Sequence, residues 1–235
     1  MYYLCVETSS KLGSLALAKK NSTLNLLEHK EWMRSKDIKN KKVFSHAELI
    51  TTEFQSLLDK HSINLSDISA LLITHGPGSF TGLRVGLNFV KSLAYSLNIP
   101  IYSTDTLSSM AWAARELNQN IHVVCNAQKN LVFYAQYQVE NKKLSFIEKP
   151  QLKSLKDLKV NANHVYVGDG LINVHQDFKL AKSDYNMPKA KTLIELYNQQ
   201  FEFFKKNQWN SLKPLYLKAS EAEENLKKGL LKPIN

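Results

Sequence analysis

The segment His75-Gly76-Pro77-Gly78-Ser79-Phe80-Thr81-Gly82-Leu83-Arg84-Val85-Gly86 constrains this chain more than any other. It follows the apolar run 70–73 and leads into residues 87–97, which hold no helix breaker. Strand, glycine-rich turn and helix in that order leave backbone N–H groups free at a helix start. Pro77 stiffens the turn, and Gly76 and Gly78 permit backbone angles closed to other residues. Ser79 and Thr81 are candidate N-cap hydroxyls. The segment is not a P-loop, because no Lys-Ser or Lys-Thr closes it. It is not GxGxxG either, because three residues separate Gly78 from Gly82. Turn chemistry alone leaves a purely structural strand-to-helix corner open.

The rest of the chain reads as an ordinary α/β protein. Its 235 residues, 43% hydrophobic and 22% charged, suffice for a substantial core. No apolar run approaches the roughly eighteen residues needed to cross a bilayer. Met1-Tyr2-Tyr3-Leu4-Cys5-Val6 has no basic segment and meets Glu7 at once, so it reads as a first strand rather than a signal peptide. A cytoplasmic protein without a membrane role is expected. Cys5 and Cys125 sit in apolar runs and read as buried free thiols. Neither Cys-x-x-Cys nor His-x-x-x-His occurs, and no metal is expected in this chain. The net charge of +10 is uneven: +3 over residues 1–140 and +7 over residues 141–235. Such a surplus attracts RNA or an acidic partner, but a lysine-rich solvated face explains it as simply. The basic segments lack interleaved aromatics.

The pattern predicts strands at 2–7, 13–18, 24–32, 70–74 and 99–103, with helices over 43–58, 82–97, about 105–117 and 191–204. Residues 35–42 read as a polar loop. At residue 121 the arrangement restarts, with strands at 121–126 and 131–139. A shift of 119 residues lays Glu7 on Asn126, which suggests two related lobes. Residues 142–162 read as loop-rich and 165–167 as a short strand. The second helix is apolar around most of its circumference and so needs cover on two sides. Gly82 and Gly86, one turn apart, would admit a close partner helix. Full cover by helix 43–58 is the competing reading.

The string GPGSFTGLRVG closely resembles the signature of the bacterial TsaB (YeaZ) proteins, which help make threonylcarbamoyladenosine in tRNA. The resemblance extends to Leu4-Cys5-Val6-Glu7-Thr8-Ser9-Ser10, Phe44-Ser45-His46-Ala47-Glu48-Leu49 and Lys91-Ser92-Leu93-Ala94-Tyr95. Val167-Gly168-Asp169-Gly170 and Pro214-Leu215-Tyr216-Leu217 match shorter blocks. It implies the two-lobed actin/Hsp70-like (ribonuclease-H-like) ATPase fold with a degenerate second lobe. The expected units are residues 1–104, 105–218 and a charged tail 219–235.

In that fold the first hairpin turn approaches nucleotide phosphates, so the resemblance makes Glu7, Thr8, Ser9 and Ser10 candidate cofactor-binding residues. Glu7 stands where the fold normally has Asp, and neutral Asn126 holds the matching place, which weakens a magnesium–nucleotide site. The transferase TsaD holds a metal with two histidines one turn apart. Here His46 is followed by Ile50, and a lone helical histidine reads as a capping or surface residue. Asp169 closes a tight loop or approaches a nucleotide.

The implied role is noncatalytic: dimerising with TsaD and activating it for N6-threonylcarbamoylation of adenosine 37 in tRNAs reading codons that begin with adenine. TsaE joins the assembly, tRNA is engaged indirectly, and ATP and metal belong to the partner subunits. The implied seam uses helices 43–58 and 82–97, with Ile50, Phe54, Leu57, Gly82, Leu83, Gly86, Leu87 and Val90. The isolated chain could form a homodimer through it. The alternatives are a free-standing actin-fold kinase or peptidase-like enzyme, and a tRNA-binding module on the lysine-rich second lobe.

Overall fold

The structure, a computed structural model, describes residues 1–33, 35–37, 42–159, 161–172 and 179–219. The charged tail past residue 219 lies outside the described residues. The chain opens with an antiparallel meander of β1 (Tyr2–Glu7), β2 (Leu12–Lys20) and β3 (Leu24–Met33). A small ribbon follows, β4 (Ser35–Asp37) against β5 (Lys42–Phe44), where a loop is expected. Next come α1 (His46–Lys60), β6 (Ile68–Thr74), α2 (Phe80–Leu97), β7 (Ile101–Thr104) and α3 (Thr106–Ala114). The second half holds β8 (Ile121–Asn126), β9 (Leu131–Glu140), β10 (Lys143–Ser154), β11 (Val165–Val167), α4 (Thr192–Gln199) and β12 (Lys205–Asn207).

The larger sheet has the order β12-β7-β6-β1-β2-β3 and the smaller one β10-β9-β8-β11. Both contain the same motif, a three-strand meander whose first strand pairs in parallel with a fourth. The duplication is in register: the strands starting at Tyr2, Leu12 and Leu24 recur 119 residues later at Ile121, Leu131 and Lys143.

Side-chain alternation sorts the core into layers. Leu4 and Val6 of β1 face one way, into a core shared with α1 and α2, while Cys5 faces the other way. That second face meets α3, α4 and the inner face of the smaller sheet, including Val123, Ala135 and Tyr137. The order is therefore helices, sheet, helices, sheet. Eight of the nine residues of α3 are buried, which its small side chains permit between two sheets. Asp105 caps α3, accepting the Ser108 amide at 2.8 Å, and left-handed Asn98 ends α2.

Three more expectations change. β10 replaces the loop-rich stretch, hidden because it is an edge strand with one buried residue and contains Pro150, a position edges tolerate. α4 is only eight residues long before a tight turn at Phe201–Phe203. β12 adds an unexpected strand beside β7.

Candidate functional site: the first hairpin turn, the start of α2 and the cleft

The β1–β2 turn meets the first turn of α2 so closely that the two share their polar groups. The Ser9 amide donates to Glu7 Oε1 at 2.7 Å, and the Thr74 hydroxyl to Glu7 Oε2 at 2.5 Å. The Thr8 hydroxyl donates to the Gly82 carbonyl at 2.8 Å, and the Ser79 amide to the Ser9 carbonyl at 2.6 Å. A Cβ on Gly82 would fall on the Thr8 carbonyl oxygen, and one on Gly86 on Thr8 Oγ1. Both glycines therefore admit this chain's own turn, which replaces the expectation that they admit a partner helix.

Glu7 is fully buried, and burial raises its pKa against the lowering effect of the Ser9 and Thr74 hydrogen bonds. Of the four residues expected at a cofactor, Glu7 and Thr8 are taken up in this packing, and Ser9 and Ser10 line the cleft. The two oxygens of Glu7 tie the hairpin turn to β6 through Ser9 and Thr74.

The second half repeats the first part of this arrangement. The Gln128 amide donates to Asn126 Oδ1 at 2.7 Å, the same bond shifted by 119 residues. Asp169 comes from the loop after β11 and accepts the Asn126 amide at 2.9 Å. The Gly170 amide donates to the Val124 carbonyl at 2.9 Å, so this acid closes a loop onto the turn. Between the two turns lies a cleft of about 610 Å³ that includes Ser79, Lys129 and Asp169 in its wall. Ser9 Oγ and Thr106 Oγ1 face this region buried and without hydrogen-bond partners among the described residues. The arrangement can hydrogen-bond a small polar molecule. It does not present the paired carboxylates that a metal–nucleotide would need, since Glu7 is sealed and Asn126 is neutral.

His46 is buried, where a capping or surface position is expected. Trp32 Nε1–H donates to His46 Nδ1 at 3.0 Å, so the proton is on Nε2, which donates to the Ser10 carbonyl at 2.8 Å. This histidine anchors α1 to the hairpin turn.

The seam residues divide by depth. Ile50, Phe54, Leu57, Leu83, Leu87 and Val90 are all buried in one core under α1 and α2. They hold the helices to the sheet. Above them, Val85, Phe89, Leu93 and Leu97 are half-buried and four residues apart, a continuous ridge on α2, with Leu49 beside it on α1. The Phe89 ring packs edge-on against Phe54 at 5.5 Å. Counting apolar residues around the helix does not separate these two layers; the position of the sheet does.

A family model described as tRNA N6-adenosine threonylcarbamoyltransferase (TsaD) matches residues 42–226. The Haemophilus influenzae tRNA threonylcarbamoyladenosine biosynthesis protein TsaB is 30% identical over 191 residues, covering 74% of this chain and 80% of that protein. The Escherichia coli protein of the same name is 26% identical over 194 residues, covering 77% and 84%. The structure of YeaZ from Pseudomonas aeruginosa superposes with a TM-score of 0.75 at 20% identity, over 92% of this chain and 100% of that one, a likeness of fold.

Proposed function

The chain belongs to the TsaB family of tRNA threonylcarbamoyladenosine biosynthesis proteins, and from that premise we propose that it acts as the noncatalytic partner of the TsaD transferase. On this reading it dimerises with TsaD through the outer faces of α1 and α2 and holds it in its active form, with TsaE joining the pair. ATP and metal belong to those partners. The observation that carries the reading is the ridge Val85, Phe89, Leu93 and Leu97, an apolar row partly open to solvent on a helix already fixed from below. Rows four apart are the ones that interdigitate when helices pack. The matching family model is the transferase's own, so the two proteins would present equivalent helix pairs and meet about a pseudo-two-fold axis. Sealed Glu7 and neutral Asn126 support a role without chemistry in this chain.

Copurification with the TsaD of the same organism tests it. Val85→Glu with Leu93→Glu should abolish the association while leaving the circular dichroism and melting of the isolated chain near wild type. Glu7→Gln should leave association intact. Retention of TsaD by the double variant would move the interface elsewhere. Substrate turnover by the isolated chain would remove the noncatalytic reading.

A further inference from the structure

Residues 208–216 run along the flank of α2 from its C-terminal end to its N-terminal end, pinned by aromatic contacts at both. At one end Tyr95 meets Trp209 edge-on, ring centroids 5.0 Å apart. At the other, Tyr216 stacks on Phe80 at 4.5 Å, and Arg84 Nε donates to the Tyr216 hydroxyl at 3.3 Å. Leu212 between them is buried in the core beneath α2. α1 packs against β2, β3 and α2, whereas β12 lies at the opposite edge of the larger sheet. The flank is therefore distinct from the α1–α2 ridge.

Its chemistry is lopsided. Residues 76–104 and 203–219 contain no Asp or Glu. They bring Arg84 and Lys91 on α2, Lys205 on the α2-facing side of β12, and Lys213 of the 208–216 segment. None of these four is in an ion pair with a carboxylate among the described residues. Two large rings stand in solvent beside them: Tyr95 is 68% and Trp209 44% exposed. Neither segment shows the ring pair alone, because Tyr95 and Trp209 are distant in sequence and only folding brings them together.

We infer that this flank binds single-stranded RNA, its cations taking backbone phosphates and the Tyr95–Trp209 pair stacking on a base. The charge fits any polyanion. The open aromatic faces decide between them, since a nucleobase can use them and the carboxylates of an acidic protein segment cannot. This surface goes beyond the partnership with TsaD and stands or falls without it.

The full-length chain, titrated with a fluorescein-labelled ten-nucleotide oligouridylate, gives the test. Trp32 and Trp112 are buried, so quenching of tryptophan emission would report Trp209. Binding is expected to weaken steeply with salt, the log–log slope falling by about 0.7 for each phosphate neutralised. Trp209→Ala should weaken binding about tenfold or more, and Trp209→Phe, which keeps a ring, should restore most of it. Lys205→Ala with Lys213→Ala should flatten the slope by roughly 1 to 1.5. Three results would overturn the inference: no binding at low salt, equal affinity for a ten-residue oligoglutamate, or affinity indifferent to Trp209→Ala and Tyr95→Ala. Copurification with TsaD, measured on the same variants, should be unchanged, which separates failure here from failure of the seam.

Discussion

The two hairpin turns, Thr8 to Leu12 and its counterpart 119 residues on, start from one plan and end in different environments. In each, the last residue of the first strand accepts the amide two positions later: Glu7 from Ser9, Asn126 from Gln128. The first turn then disappears under α2, and Glu7 is fully buried. The second has no helix over it among the described residues. Asn126 is exposed, and Gln128, Lys129 and Asn130 all adopt left-handed backbone angles. The difference shows that the acceptor at this position is first a device for shaping a turn. A carboxylate there is not in itself evidence of chemistry.

Substitutions at paired positions sharpen that contrast. The largest effect is expected from Gly86→Val, whose side chain would displace Thr8 from α2; urea unfolding should show a loss of about 3 kcal/mol or more. Glu7→Ala should cost about 2–3 kcal/mol, because the buried Ser9 amide loses its acceptor. At the matching place Asn126→Ala should cost only about 0.5–1 kcal/mol, since water replaces the lost bond. Equal losses at the two positions would break the comparison. Glu7→Gln isolates the charge. Burial lifts the Glu7 pKa above its ordinary 4.5, so the native state binds more protons than the unfolded chain between the two pKa values. Stability should then fall as pH rises through that window, and Glu7→Gln should flatten the fall and be the more stable protein above it. The smallest effect belongs to Lys129→Gly: relief of its left-handed angle and the added chain entropy nearly offset, leaving a change within about 1 kcal/mol.

Much of this molecule was legible in the sequence. The strands Tyr2–Glu7, Ile121–Asn126 and Val165–Val167 were readable to the residue because short apolar runs bounded by turn residues mark buried strands. The restart at residue 121 was visible as a spacing. Edge strand β10 was not, because a strand with only Leu144 buried among its twelve residues carries little hydrophobic signal. Periodicity named the apolar residues of α1 and α2 but could not rank them by depth. Leu87 and Phe89 are equally apolar and lie on opposite sides of a helix that is apolar nearly all round, yet Leu87 is buried and Phe89 half-open. The roles of Gly82 and Gly86 were hidden for a related reason: the group each accommodates belongs to the Thr8–Ser9 turn, far away in the chain. The aromatic pair Tyr95–Trp209 left no local trace at all.

The sandwiched helix α3 has a mechanical consequence. Its residues fill a single apolar interior that runs from Cys5 and Leu72 on one side to Val123 and Tyr137 on the other. Opening and shutting the halves like a jaw would expose that interior, so they should move as one body and lose their structure in a single calorimetric transition. Here the interior shared across α3 ties the two halves together.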